Sequence, residues 1–161
     1  MRLDLGRLAV IGLVALTVIA GAAAWYLQVY AYYERLGPEA ARDLTLTTPE
    51  GEIVPLEVAG FEGIDSTSSP LRYRACFDAA RAALDAAQPY EGATPLVGPG
   101  WFGCFDAGAL TADLASGAAE AYLSAHEIRP AVDRVIAIYP DGRGFAWHQL
   151  NENAEESRVI E

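Results

Sequence analysis

An uncharged run from Leu8 to Tyr33 constrains the fold of this chain more than any other feature of its sequence. A helix needs about 20 apolar residues to cross the hydrocarbon core of a bilayer, and this run exceeds that length. Leu, Val, Ile, Ala and Gly fill its first two thirds, whereas aromatic side chains crowd its last third. The sequence therefore predicts a transmembrane signal-anchor helix over residues 8–33.

Both ends of the run carry the residues expected at a membrane boundary. Aromatic rings settle at the membrane–water interface, and those of the last third are Trp25, Tyr26, Tyr30, Tyr32 and Tyr33. Arg2 and Arg7 flank the other end, and basic residues stay on the cytoplasmic side. We therefore predict a cytoplasmic tail over residues 1–7, a single span of the bacterial inner membrane, and a periplasmic C-terminal domain.

A cleavable secretory signal is the alternative interpretation of this segment. It would have a basic start, an apolar core and small residues at Ala22-Ala23-Ala24, with cleavage after Ala24. The apolar run continues beyond Ala24, whereas a removed signal usually gives way to polar sequence. The retained anchor is therefore favoured, and cleavage stays open.

The run also carries small residues four positions apart, a spacing that places them on one side of a helix. This small-residue ridge consists of Thr17, Ala20, Gly21 and Ala24. Small side chains let helix backbones approach closely in lipid, where packing drives association. We expect the anchor to contact the lipid bilayer and an integral membrane partner, although small residues are also common in membrane helices generally.

Charge and composition exclude several function classes for the part of the chain after residue 33. Without Asp4, Arg2 and Arg7, this part holds 21 acidic and 9 basic residues, a net charge of −12. Such a surface repels phosphate backbones, so we expect no nucleic-acid partner. The chain has no Lys, which excludes Schiff-base chemistry and a P-loop lysine. No cofactor or metal is expected.

Cys76 and Cys104 are the two cysteines of the chain. An even pair in an oxidising compartment predicts one disulfide. A redox-active pair would show the spacing C-x-x-C, which is absent. Zinc bound by both cysteines and the two histidines is a weaker alternative, because the paired short spacings of such sites are missing.

The outer part of the chain predicts an α+β domain with a mostly antiparallel sheet and two short helices. This periplasmic domain is expected over 44–151, between a linker over 34–43 and an acidic tail over 152–161. Alternating patterns and turn residues predict strands at 44–48, 52–58, 71–77, 120–128, 131–139 and 144–150. The helices are expected at 78–88 and 106–116, each opened by the Asp of a repeated Cys-Phe-Asp-Ala string. Loops are expected at 60–70 and 89–100.

The two histidines are the best candidates for chemistry, although no catalytic motif surrounds either. By strand alternation, His126 shares a face with Ile128, and neighbouring strands could bring His126 near His148. A carboxylate such as Asp141 or Glu127 would then complete an acid–base group. The alternative is an ordinary pair of strand histidines, because no nucleophile lies in a recognisable motif.

Three strings carry a resemblance to a known family: SSPLRYRACF at 68–77, PGWFGCFDAG at 99–108 and YPDGRGFAWHQLN at 139–151. They resemble an uncharacterised family of small, N-terminally anchored alphaproteobacterial proteins with a domain of unknown function. The likeness runs from the anchor to about Asn151. Some members carry a histidine kinase label, but this chain lacks a glycine-rich nucleotide loop. The resemblance implies a topology and a compartment, and it implies no activity.

These observations favour an interaction role over catalysis. We expect an accessory, assembly or stabilising subunit of a larger inner-membrane complex, acting through protein–protein contacts. The alternatives are a periplasmic module that binds a small ligand in a pocket between the long loops, and a small hydrolase that uses His148 or His126.

Overall fold

The computed structural model describes residues 4–80 and 84–154 and divides the chain into two compact units, Met1–Tyr33 and Glu34–Glu161. Arg2 therefore lies outside the described residues, as do parts of the predicted helix at 78–88 and of the predicted tail. The predicted class is confirmed. The chain has an N-terminal apolar helix, a mostly antiparallel sheet, further short helices and one disulfide.

The first unit is one long apolar helix. Helix α1 spans Leu5–Tyr26 and continues as a π-helix over Leu27–Ala31. Asp4 caps its start, because the Asp4 carboxylate accepts a hydrogen bond from the backbone N–H of Gly6. Together the two segments make 27 residues, the most apolar 18-residue stretch of which has a mean hydropathy of 2.3, and none of α1 is buried. This helix is long and apolar enough to span a membrane, as the sequence predicts.

The second unit is built on an antiparallel sheet of six strands in the order β1-β4-β5-β8-β7-β6. Its strands are β1 Glu34–Leu36, β4 Val58–Asp65, β5 Arg74–Ala79, β6 Glu120–Arg129, β7 Val132–Ile138 and β8 Arg143–Leu150. Strands β2 Thr45–Thr47 and β3 Ile53–Pro55 form a separate hairpin. The segment 34–43, expected as a linker, contributes β1 and a 3-10 helix over Pro38–Asp43 to this unit.

The two faces of the large sheet bury different side chains, because successive residues of a strand point to opposite sides. Tyr73, Ala75 and Phe77 on one face pack with Leu44 and Leu46 near the β2–β3 hairpin. The opposite face carries the aromatic cluster of Phe105, Phe145 and Trp147. The sheet therefore has an apolar layer on each side.

The predicted disulfide is confirmed. Cys76 on β5 bonds to Cys104, just before helix α2 at Ala107–Ser116. The carboxylate of Asp106 caps α2 by accepting hydrogen bonds from two backbone N–H groups, and Gly117 ends it in a left-handed conformation with φ of 76°. Both signals are readable in the sequence, and this helix matches its predicted range.

Besides the segment 34–43, two predicted elements differ from the structure. The expected loop at 60–70 is largely strand, because β4 runs over Val58–Asp65 between β1 and β5. The expected helix at 78–88 does not begin at Asp78, which belongs to β5 and pairs with Ala59 on one side and Arg143 on the other. Strand pairing on both sides thus overrides the helix propensity of this alanine-rich segment.

Candidate functional site

A cleft of about 850 Å³ opens at the end of the sheet where β4, β6, β7 and β8 approach one another. We call it the His148 cleft. Charged side chains of both signs line it together with His148, and these are Glu34, Asp65, Arg129 and Arg134. Ser66 and Thr67, which follow β4, add polar groups to the lining. It is therefore a polar cleft built on strand ends and loops.

His148 is almost fully buried, and both of its ring nitrogens are engaged. Nε2 accepts a hydrogen bond of 3.0 Å from Nε of Arg134, so the proton of the neutral ring sits on Nδ1. That proton is donated to the carbonyl oxygen of Pro70 over 2.7 Å. The ring also stacks on Tyr73, with ring centroids 4.4 Å apart.

This environment holds His148 in its neutral form. Burial and the positive charge of Arg134 lower the pKa of His148 from 6.5 to about 3. Protonation of Nε2 would place a new N–H against the Nε–H of Arg134, so two donors would face each other without an acceptor. His148 therefore has no ring nitrogen available for general acid–base chemistry in this arrangement, and it fixes the position of Arg134 instead.

Asp65 faces the same cleft from the end of β4. Burial raises the pKa of its carboxyl group above the usual value, while the backbone N–H of Ser66 and the positive charges of Arg134 and Arg129 act in the opposite direction. The Ser66 N–H lies 2.7 Å from Oδ1 of Asp65. The cleft thus brings a half-buried carboxylate within the electrostatic influence of two guanidinium groups.

A second cleft of about 750 Å³ lies beside β6 and is lined by His126, Tyr90 and Asp133. We call it the His126 cleft. Asp133 is buried, with 3% of its surface exposed, and its carboxylate gathers several donors. Oδ1 accepts hydrogen bonds of 2.9 Å from the backbone N–H of Glu127 and from the side-chain amide of Asn151. Oδ2 accepts from the Tyr90 hydroxyl over 3.1 Å.

His126 lies at the mouth of this cleft. Its Nδ1 is 3.1 Å from Oδ1 of Asp133, and 59% of its side chain is exposed. Burial and the neighbouring Asp133 carboxylate raise the pKa of Tyr90 above its ordinary value. An imidazole oriented through one nitrogen by a buried carboxylate is a recurrent element of general acid–base sites.

Residues 44–158 match a family of unknown function, DUF6446. This chain belongs to that family. The match begins at Leu44, so it includes β2 to β8 and all three strings that carry the resemblance, and it does not include α1. No curated protein and no solved structure matches the chain.

The residues predicted from the sequence to form one acid–base site lie apart in the structure of the DUF6446 region. His148 and His126 line different clefts. Asp141 lies in the turn between β7 and β8, where its carboxylate accepts a hydrogen bond of 2.8 Å from Nε of Arg143. The carboxylate beside His126 is that of Asp133, in place of the expected Asp141 or Glu127.

The prediction that His126 and Ile128 share one face of β6 is wrong. The pairing of β6 with β7 shifts register on either side of Ala125, and Glu127 has a positive φ of 46°. Such bulges re-aim side chains. As a result His126 lines one cleft and Ile128 the other, although alternation would place them on one face.

Three residues that matter most to the two clefts were not identified from the sequence. Arg134, Asp133 and Tyr90 carry the contacts described above. The charged pair Asp133-Arg134 inside an otherwise apolar strand was the signal available, because charged residues seldom enter a central strand without partners. Among the described residues, no group of three or more His, Cys, Asp or Glu is placed to hold a metal ion.

Proposed function

We propose that this DUF6446 member is a membrane-anchored accessory or assembly subunit of a larger bacterial inner-membrane complex, acting through protein–protein contacts on the periplasmic side. The observation that carries the proposal is the surface of α1. None of its residues is buried within the described chain, and a side chain added at Gly21 would meet nothing within 4 Å. The small-residue ridge is therefore open to a partner helix.

The one hydroxyl group of the small-residue ridge is hydrogen-bonded within its own helix. Thr17 donates its hydroxyl to the carbonyl oxygen of Val14 over 2.8 Å, with the carbonyl of Leu13 at 3.2 Å. A threonine satisfied within its own helix presents its methyl group and a small profile to a neighbour. This local bond supports close packing in lipid.

Two further features support a periplasmic position for the folded unit. The Cys76–Cys104 disulfide suits an oxidising compartment. Arg7 lies near the start of α1, and basic residues favour the cytoplasmic side of a span. The second unit then follows on the opposite side of the bilayer.

The β2–β3 hairpin supports a second contact between subunits. Ile53 is 67% exposed and Val54 is 42% exposed on adjacent positions of β3. Because the two residues are consecutive, each face of β3 exposes one apolar side chain. We propose that this edge helps to hold the periplasmic unit against the same complex.

Purification of the full-length protein in a mild detergent through a C-terminal tag tests this proposal. A stoichiometric membrane complex, identified by native size and mass spectrometry, is the expected result. Gly21→Leu should release the partner, because a large side chain blocks the ridge. Gly12→Leu is the matched control, since Gly12 lies nine residues earlier, about half a turn around the helix. A protein that elutes alone, or equal effects of both variants, would reject the proposal.

A small-ligand-binding module is the second candidate function, and the His148 cleft favours it. Its volume of about 850 Å³ is sufficient for a small molecule, and its lining combines apolar residues with a few charged groups.

A further inference from the structure

Arg134 holds the most unusual position among the charged residues of the His148 cleft. Its side chain is half-buried and is fixed at three points. Nε donates to His148 over 3.0 Å, Nη1 donates to the carbonyl oxygen of Asp43 over 2.6 Å, and the guanidinium carbon lies 4.7 Å from the ring centre of Tyr73. The guanidinium group is therefore oriented before any ligand arrives.

Much of the donor capacity of Arg134 is unused. A guanidinium group has five N–H donors, and the two bonds to His148 and Asp43 use two of them. Within residues 4–80 and 84–154, Nη2 makes no hydrogen bond. The outer edge formed by Nη1 and Nη2 therefore remains able to grip two oxygens of one anionic group.

Arg129 adds a second guanidinium group to the same cleft. Its Nη1 donates to the carbonyl oxygen of Ile128 over 3.1 Å, and its side chain is exposed. Neither Arg129 nor Arg134 forms a salt bridge with a residue that the structure describes. This is notable in a chain with 22 acidic and 11 basic residues, where carboxylates are abundant.

The anionic residues of the cleft restrict the charge of a ligand. Glu34 and Asp65 line it together with the two arginines, so the four side chains nearly cancel in charge. Each negative charge on a ligand is attracted by the two guanidinium groups and repelled by the two carboxylates. A planar carboxylate places both of its oxygens on one guanidinium edge, whereas a phosphate leaves further anionic oxygens near Glu34 and Asp65. A single carboxylate therefore suits the cleft better than a phosphate.

We propose that the His148 cleft binds a small monocarboxylate ligand through the guanidinium groups of Arg134 and Arg129. Arg134 supplies the oriented bidentate contact, and Arg129 supplies a second contact from an exposed side chain at the cleft wall. His148 serves as a positioning residue that holds Arg134 through Nε. This inference rests on the second candidate function, and it names the ligand class and the residues that recognise it.

Nuclear magnetic resonance on the full-length protein in dodecyl maltoside micelles tests the proposal. The guanidinium Nε–H resonances are followed while sodium acetate, and separately inorganic phosphate, replaces chloride at constant ionic strength. The Arg134 resonance should shift saturably with acetate, with an affinity at least tenfold higher than for phosphate. Arg134→Gln and Arg129→Gln should each weaken acetate binding about tenfold or more, because each removes a charge-assisted contact.

Arg143→Gln is the matched control, because Arg143 binds Asp141 in the β7–β8 turn and does not line the cleft. Arg129→Gln changes an exposed side chain, so it tests the site even if Arg134→Gln disturbs folding. No saturable shift, tighter binding of phosphate, or an equal loss with Arg143→Gln would overturn the proposal. The result is independent of the accessory-subunit proposal, since the titration needs no partner and the copurification needs no acetate.

Discussion

The two clefts are built around the same kind of residue and the same strand, but they place that residue in opposite surroundings. His148 on β8 is buried, with both ring nitrogens engaged, and its neighbour on β7 is the cation Arg134. His126 on β6 is largely exposed, with one nitrogen on the anion Asp133, also from β7. Asp133 and Arg134 are consecutive, so strand alternation sends one to each face of the sheet.

The comparison shows that the neighbour from β7 sets the chemistry of each histidine. A guanidinium N–H requires a lone pair on His148, which makes that ring a fixed neutral acceptor. A buried carboxylate instead lies 3.1 Å from Nδ1 of His126, whose side chain is 59% exposed. One charged dipeptide in the middle of the sheet thus supports two sites of different character.

Asp133→Ala should have the largest effect on stability. The change removes an acceptor shared by Tyr90, Glu127 and Asn151, and it leaves three part-buried hydrogen bonds without their common acceptor. We expect a loss on the order of 4 kcal/mol in the free energy of unfolding, measured by denaturant titration in detergent. Asp141→Ala in the exposed turn is the control and should leave the free energy of unfolding close to that of the unchanged protein. Equal losses of unfolding free energy in the two variants would show that the hydrogen bonds of Asp133 contribute no more than those of a carboxylate in an exposed turn.

His148→Ala should cost about 3 kcal/mol by the same measurement. The change opens a cavity beside Tyr73 and leaves Nε of Arg134 and the carbonyl of Pro70 without their partner. His148→Gln should cost less, because an amide can both donate and accept. A neutral outcome for His148→Ala would show that the ring does not anchor this cleft.

The stability of the protein should decrease as the pH falls below about 6.5, the ordinary histidine pKa. Above that pH, His148 is neutral in both states and contributes no pH dependence. Below it, the unfolded chain takes up a proton that the folded state, with a pKa of about 3, does not. The slope from this residue is at most about 1.4 kcal/mol per pH unit. Denaturant titrations between pH 7 and pH 5 measure it, and His148→Gln should flatten the slope.

His126→Ala should have the smallest effect on stability, about 1 kcal/mol or less. Its side chain is 59% exposed, and Asp133 keeps its three other donors. A loss above about 2 kcal/mol would show that the two histidines are equivalent anchors. If the protein is a small hydrolase, this variant should instead lower turnover of a simple ester while the unfolding midpoint stays within about a degree.

Several elements of this fold were predictable because short-range chemistry determines them. The run from Leu8 to Tyr33 carries no charged side chain, Asp106 and Gly117 delimit α2, and the turn at Asp141-Gly142 joins two strands of a meander. The Cys76–Cys104 disulfide follows from an even cysteine count. Each signal depends on residues close in sequence or on simple pairing.

Other elements were not predictable because distant residues decide them. Asp78 and Asp106 occupy the same position of the repeated Cys-Phe-Asp-Ala string, yet Asp78 lies in a strand paired on both sides, whereas Asp106 caps a helix. A segment with helical propensity becomes a strand when two neighbours supply its backbone hydrogen bonds. The bulges of β6 similarly depend on its pairing with β7.

The sequence by itself determined the apolar helix, the disulfide pairing and the order of the last three strands, because each rests on composition or on neighbouring residues. Only the tertiary structure decided that His148 and His126 belong to separate clefts, and that Arg134 and Asp133 are their partners. Strand order, register and bulges bring these residues together from distant positions. Those quantities arise from the packing of the whole sheet, so no local pattern contains them.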